Sequence, residues 1–400
     1  MNGRAVWVTG RGAVTAAGMG AGRLLEALLG ARSAVRPHSD LAGLPVGRAE
    51  RPSGGAASRR LDRSAALFLA AAEEAWRDAG LPDDAIDLER CGLIEGSCLG
   101  PLADALMAVG SHAAADGRQA IRPSGLVRFM PGAGGAAFAH GHRLRGPVLY
   151  LSAGSVSSSC AIVEALEKIT IGLLDVVVTG GAECPLHPDV IESFRVAGVL
   201  AAPRDGDPVC CPFDDRRTGT VLGEGAGVMV LEAAEHATRR GARPYGVVTG
   251  FGFSRETYSM IRPEPTGAGV AQAARVALGE IPLQEVGWIK AHGTGTRIND
   301  AAEYRGLAAL FGNRLPGTPI ASLKPMLGHC LGASGAVETV AALLALELGM
   351  IPPTLGTGRV DPALPMCTVA TRAERSSKSR ALILAESFAG RCAAIAMSRA

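Results

Sequence analysis

Gly146-Pro147-Val148-Leu149-Tyr150-Leu151, then Ser152-Ala153-Gly154-Ser155, then Val156 through Gly172, reads as a strand, a tight turn and a helix. The helix carries Ile162, Val163, Leu166 and Ile169 toward one side, so it packs on a sheet. A second apolar strand, Asp175 to Thr179, follows at once and closes at Gly180-Gly181. Strand, helix and strand in succession predict an α/β fold. The turn also has a chemical meaning. A small residue pair before a helix presents Ser155 near the helix N-terminus, where free N–H groups and the macrodipole favour developing negative charge.

Working outward, Ala5 to Gly10 reads as a buried strand, Leu24 to Leu29 and Ser64 to Gly80 as helices, and Cys91 to Ile94 as a short strand. Near Ala233 the pattern restarts. Tyr245-Gly246-Val247-Val248-Thr249-Gly250 echoes Val6-Trp7-Val8-Thr9-Gly10, and a helix from Gly269 to Leu278, a strand at Trp288 to Lys290 and a helix from Ser334 to Gly349 follow. Two strand–helix halves are expected, residues 1–235 with the nucleophile and 236–400 with its partners.

Composition bounds the function. Four hundred residues at 48% apolar content can bury a large core, while 53 glycines and only 4% aromatics favour tight strand-to-helix turns. A net charge of +2 argues against a nucleic-acid surface, which needs a concentrated basic stripe. No run of about 18 apolar residues is present to span a bilayer, and the first residues enter a strand without a signal-peptide pattern. Nine irregularly spaced cysteines fit a reducing compartment. The expectation is a cytoplasmic enzyme.

A serine hydroxyl needs a base within hydrogen-bond reach. His292, in Lys290-Ala291-His292-Gly293-Thr294-Gly295-Thr296, and His329, after Ser322-Leu323-Lys324-Pro325-Met326-Leu327-Gly328, are the candidates, because glycines beside them let backbone approach a ligand. Lys324 would keep a neighbouring histidine neutral by like charge, or orient it by a hydrogen bond. Taken singly, each residue has a plainer reading: Ser155 as a helix cap, His329 as a cap for the helix at Ser334, Lys324 as a solvated charge. Their conjunction favours catalysis. Other signals are weaker. Gly10-Arg11-Gly12 lacks the third glycine of a dinucleotide fingerprint, His140-Gly141-His142 has no third metal ligand nearby and reads as a surface loop, and Cys210-Cys211 reads as buried filler. Cys160 is the one thiol that rivals Ser155, although its place inside the helix should turn it elsewhere.

Together these segments resemble the β-ketoacyl synthase (ketosynthase, condensing-enzyme) family of the elongating type. The resemblance runs almost end to end: Val8 to Gly12, Arg60 to Arg63, Gly146-Pro147, Asp175 to Glu183, Pro212 to Arg216 with Gly223 to Gly227, His292 to Thr296 with Asp300 and Glu303, and Leu323 to His329, in the family's order. It implies a thiolase-type fold, two similar halves in a layered αβαβα architecture, usually dimeric. It implies that the Ser155 position takes an acyl group from the phosphopantetheine arm of an acyl carrier protein, with no cofactor bound to the chain itself. The His292 and His329 positions would assist malonyl decarboxylation, the Lys324 position would support that of His329, and Thr294 and Thr296 match residues that hold the arm. Backbone N–H groups at the nucleophile and in the C-terminal glycine loop would form an oxyanion hole. An acidic carrier protein implies a basic docking patch, for which Arg59, Arg60 and Arg63 are candidates.

Two departures stand out. The family nucleophile is cysteine, and counting back from Gly172 and Asp175 puts Ser155 in its place. The family's Asn-Ser-Phe-Gly-Phe-Gly-Gly-Thr-Asn loop is here Glu386-Ser387-Phe388-Ala389-Gly390-Arg391-Cys392-Ala393-Ala394, with Phe388 and Gly390 the nearest matches to its substrate-contacting residues. Three readings stay open. The chain is a ketosynthase-type acyltransferase, condensing by default or else simply transferring its acyl group, in polyketide- or fatty-acid-type synthesis. It is a chain-length-factor-like subunit beside a cysteine-bearing ketosynthase; in general the chain is expected as a homodimer or as a heterodimer with another ketosynthase-family chain. Or it is a hydrolase of acyl carrier proteins.

Overall fold

The strands Cys91–Gly96, Val176–Glu183, Gly225–Ala233 and Val286–Lys290 are buried at every position, so both faces of the sheet there must be covered. The computed structural model, which describes residues 3–53, 60–81, 86–114, 124–202 and 209–400, shows how. In the first half the main strands are β1 (Val6–Thr15), β2 (Cys91–Gly96), β3 (Val148–Leu151), β4 (Val176–Glu183) and β5 (Gly225–Ala233). In the second they are β6 (Gly246–Arg255), β7 (Val286–Lys290), β8 (Ile320–Ala321), β9 (Arg380–Ser387) and β10 (Arg391–Arg399). They lie in the order β8-β7-β9-β10-β6-β1-β5-β4-β2-β3, with the two-residue strand Gly18–Met19 against β1.

That order is one arrangement used twice. β1 runs antiparallel to β5 and β5 to β4, whereas β4, β2 and β3 are mutually parallel. β6, β10 and β9 repeat the antiparallel triplet, and β9, β7 and β8 the parallel one. The halves join where Trp7 and Val8 face Val247 and Gly246, the two segments whose sequences echo each other. The echo also has a packing cause. On Gly10 and Gly12 a Cβ would come within 2.1 and 2.0 Å of the Ala75 and Ala71 carbonyl oxygens of α1 (Arg63–Asp78). On Gly250 and Gly252 it would come within 2.0 and 2.2 Å of the Ala277 and Ala273 carbonyls of a second helix. Gly10 and Gly12 thus serve helix-on-sheet approach rather than a dinucleotide.

Helices α2 (Ser157–Thr170) and α5 (Ser334–Glu347) form the middle layer, while α1 covers one outer face and α3 (Ala268–Leu278), backed by α4 (Arg297–Phe311), the other. α5 is buried from Ser334 to Leu346, so it is apolar all round except at Glu338 and small hydroxyl residues. Its first turn meets that of α2: the Ala336 N–H donates to Ser158 Oγ at 2.9 Å, and a Cβ on Gly335 would lie 2.2 Å from Ser159 Oγ. The crossing joins the two helix starts, which is where Ser155 and His329 are carried. Periodicity did not reveal α4, because its buried face includes Asp300 and Glu303, which break the apolar stripe.

Two expectations are corrected. His140 and His142 end a helix, Ala133–Gly141, rather than a loop, and His142 Nε2 meets the Glu73 carboxylate at 3.1 Å. Arg63 is not a free surface charge, since it pairs with Glu224 at 2.7 Å; Arg60 is exposed, and Arg59 lies outside the described residues. All nine cysteines are free. Among the described residues no helix is long and apolar enough to cross a membrane, and no group of three or more His, Cys, Asp or Glu could hold a metal ion.

Candidate active site

Ser155 precedes α2 instead of capping it: the N-cap is Val156, and no side chain caps there. Gly154 takes φ 66°, and a Cβ on it would lie 2.2 Å from Ser387 Oγ, so both conformation and space call for glycine. Ser157 locks the turn by accepting the Ala153 N–H at 2.8 Å and donating to the Gly154 carbonyl at 2.6 Å. The Ser155 hydroxyl is left facing His329, Oγ to Nε2 3.5 Å. That separation is loose, as proton-transfer pairs often are before substrate tightens them.

The His329 ring is oriented from its far side by Ser334 at the start of α5, Nδ1 to Oγ 2.9 Å. If Nδ1–H donates to Ser334, Nε2 keeps its lone pair for the Ser155 proton. His292 stands edge-on to His329, ring centroids 5.2 Å apart. Lys324 serves His292 rather than His329, contrary to the expectation. Its Nζ lies 3.4 Å from His292 Nδ1, also donates to the His292 carbonyl, and reaches Glu338 Oε1 at 2.9 Å. Lys290, equally buried, pairs with the other oxygen of Glu338. One carboxylate from the apolar helix α5 therefore balances two buried ammonium groups.

Glu303 and Asp300 of α4 shape the histidine loop. Glu303 accepts the N–H groups of His292 and Gly293 at 2.6 and 2.8 Å, and Asp300 accepts those of Gly295 and Phe213 at 3.1 and 2.8 Å. Burial raises these carboxyls to about 7 and about 6. Burial, then the charge of Lys324, holds both histidines well below 6.5. Each ring is thus a neutral base at pH 7 and stays so on mild acidification. Acylation of Ser155 is therefore expected to hold its rate as pH falls from 8 to 6, in stopped-flow measurements with a thioester whose own groups do not titrate there. A fall centred at 6.5 would contradict the depressed values.

These groups line a cavity of about 720 Å³. Ser155, His292 and His329 are in its wall, as are Thr294 and Thr296, whose hydroxyls lie 3.0 Å apart. Phe388 stacks on Phe194 across it, centroids 6.2 Å apart. Gly390, at φ 69°, gives its carbonyl to the Glu256 N–H, and a Cβ there would lie 2.2 Å from the Glu256 oxygen. Cys160 is not in the cavity wall. It packs beside Val156, Ala385 and Ala393, and burial raises its thiol to about 11. Cys98, which the sequence reading passed over, does line the cavity, but burial raises it to about 12, which leaves little thiolate.

The expected oxyanion hole is altered. The Ser155 N–H already donates to Ser387 Oγ at 2.8 Å. A substrate oxygen can take that amide only when Ser387 turns away. Ser387→Ala is expected to raise the rate of acyl-enzyme formation several-fold, about 1 kcal/mol of barrier, read by pre-steady-state thiol release. A slower variant would mean that Ser387 itself serves the reaction.

The family model described as β-ketoacyl synthase, N-terminal domain, matches residues 3–237, and that of the C-terminal domain matches residues 245–357. The chain belongs to the β-ketoacyl synthase family. It is 35% identical over 302 residues to nodulation protein E of Rhizobium sp. (strain N33), covering 76% of this chain and 74% of that protein. Its fold matches a ketosynthase solved with its type II PKS acyl-carrier protein and bound to the hexaketide, at TM-score 0.90 and 27% identity over 100% of both chains. It matches the ishigamide ketosynthase/chain length factor at 0.91 and 27%, again over 100% of both. Membership of the β-ketoacyl synthase family gives the chain a ketosynthase-like role, on a thiolase-type fold. Glu338, Ser334 and Ser387 contact the candidate residues, and Glu386 and Arg391 line the cavity; the sequence alone assigned a role to none of them.

Proposed function

We propose that this chain is a ketosynthase-type acyltransferase that accepts acyl groups from a carrier protein as an ester on Ser155. The observation that carries the reading is the Ser155 hydroxyl facing the neutral His329 ring, 3.5 Å away, in a wall of a cavity large enough for an acyl chain and its carrier arm. In the first step Ser155 Oγ attacks the thioester carbonyl; the C–O bond forms, the C–S bond breaks, and His329 passes the serine proton to the leaving sulfur. In the second, His292 donates a hydrogen bond to the thioester oxygen of a malonyl unit as it loses CO₂; the enolate carbon then bonds to the ester carbonyl, the C–O bond to Ser155 breaks, and the serine oxygen takes up a proton from solvent by way of His329. Lys324 holds His292 in register for that role.

No phosphopantetheine is carried by the chain, and the residues present suit the arm of an incoming carrier protein. Thr294 and Thr296 offer hydroxyls to its amides, and the exposed Arg262 and Arg297 at the rim suit its phosphate. A type II polyketide setting is suggested by the solved relative that carries a hexaketide. Incubation with acyl- and malonyl-carrier proteins tests the reading. Release of CO₂ with a β-ketoacyl product supports condensation, ester transfer to an added acceptor supports simple acyl transfer, and free acid alone supports hydrolysis.

A second reading has one specific observation behind it. The Ser155 amide is occupied by Ser387, which suits a non-condensing, chain-length-factor-like subunit. The open edge of β3, with exposed Val148 and the exposed Leu102, Leu126, Phe129 and Met130 on segments near it, would then join a cysteine-bearing ketosynthase chain. On this reading the chain alone gives no product, and activity appears only on mixing with that partner.

A further inference from the structure

Arg391 ends the loop after β9, and the structure puts its charge beside the turn that bears the nucleophile. It opens β10 as the cross-strand partner of Ser387 in β9. Side chains of such partners share one face of a sheet, and on that face Ser387 meets the Ser155 amide. The Arg391 Nη1 atom lies 3.7 Å from where a Cβ on Gly154 would be, so the guanidinium sits against the turn that bears Ser155. Arg391 is half-buried and lines the cavity with Cys98, and its side chain makes no hydrogen bond or ion pair among the described residues.

The nearby carboxylates do not answer it. Glu386 is in the same cavity wall but alternates to the other face of β9, opposite Cys392, and makes no ion pair with Arg391 among the described residues. Glu256 accepts the N–H groups of Glu264 and Gly269, and Glu183 those of Cys98, Leu99 and Gly332. A guanidinium cannot shed its proton and has a fork of donors matched to a carboxylate. Half-buried in the cavity wall, that fork is left open to a ligand, and an anion brought by the ligand would engage it. The carrier arm's phosphate does not qualify: with the thioester carbonyl at Ser155, the phosphate lies a full arm's length away toward the rim. What reaches Arg391 is the acyl group.

We propose that the acyl group delivered to Ser155 ends in a carboxylate held by Arg391, so that the substrate is a dicarboxylic half-thioester rather than a neutral fatty acyl chain. This rests on the reading of the cavity as a site for pantetheine-borne acyl groups. Transfer itself is unchanged: the thioester C–S bond is exchanged for a C–O bond to Ser155, the serine proton leaves with the sulfur, and the distal carboxylate stays ionised. A cation beside that carboxylate opposes its loss as CO₂, which keeps the charged terminus on the transferred chain.

Calorimetric titration with non-cleavable pantetheine amides tests this without needing the acyl-enzyme. Glutaryl and pentanoyl amides differ at the far end of the chain by a carboxylate against a methyl group. The glutaryl amide is expected to bind about ten- to a hundred-fold more tightly to the unaltered chain. Arg391→Gln is expected to remove most of that preference, and Arg391→Lys to retain part of it. Equal binding of the two amides, or an equal loss for both in Arg391→Gln, would overturn the carboxylate proposal alone. Absence of binding by either amide to the unaltered chain would overturn it together with the pantetheine reading. The comparison in the unaltered chain stands even if the variants fold poorly.

Discussion

Ser155→Ala is expected to abolish acyl transfer, with turnover falling at least about a thousand-fold while the fold and carrier-protein binding persist. The hydroxyl makes no structural bond that alanine would break: it does not cap α2, and its hydrogen-bond partner among the described residues is His329. The companion substitution Ser155→Cys should act in the opposite direction. A thiol ionises more readily, and its thioester is a better acyl donor to a carbon nucleophile than an oxygen ester, so condensation should rise by about ten-fold or more. Steady-state release of β-ketoacyl product reads both. If the cysteine variant is no faster, the barrier lies in the Ser387 contact with the position-155 amide. If the alanine variant keeps full activity with a partner chain, the enzymatic reading fails and the subunit reading stands.

The largest stability effect is expected at Glu338. Lys290 and Lys324 are both fully buried, and each points its ammonium group at this one carboxylate. Removing one member of a buried charged set strands the others without solvent or counter-charge. Glu338→Ala should therefore cost about 3–5 kcal/mol, seen as a lowered denaturation midpoint against the unaltered chain. Glu338→Gln should fall between, since the amide oxygen still accepts from an ammonium but carries no charge. A cost under about 1 kcal/mol for alanine would show that the carboxylate does not hold the two buried ammonium groups. The same substitution should lower activity beyond its effect on stability, because Lys324 loses the group that aims it at His292.

How far the sequence revealed this molecule depends on the distance over which each signal acts. Local patterns were legible. The strand, turn and helix around Ser155 needed only neighbouring residues, and the echo of Val6–Gly10 in Tyr245–Gly250 disclosed the repeated half because both strands meet a helix backbone through glycines. Contacts made across the fold were not legible. Ser387 reaches the Ser155 amide across 232 residues, and the partner of Lys324 proved to be His292 rather than His329.

Glu338 could have been found, since a single acid in the apolar run from Ser334 to Leu346 needs a buried cation to pair with. Arg391 was harder. The loop from Glu386 to Ala394 reads as an eroded glycine turn, and that reading attends to what is lost and passes over the charge gained. It takes the register of β9 with β10 and the contact with the Gly154 turn to show that this charge lies on the side of Ser155.

The most direct measurement is peptide-level mass spectrometry of the chain after brief exposure to an acyl carrier protein and acid quench. The account predicts one acyl group per chain, on the peptide spanning the turn and localised by fragmentation to Ser155. An acyl group on Cys98 or Cys160 instead, or an unmodified Ser155 under conditions where product forms, would contradict it.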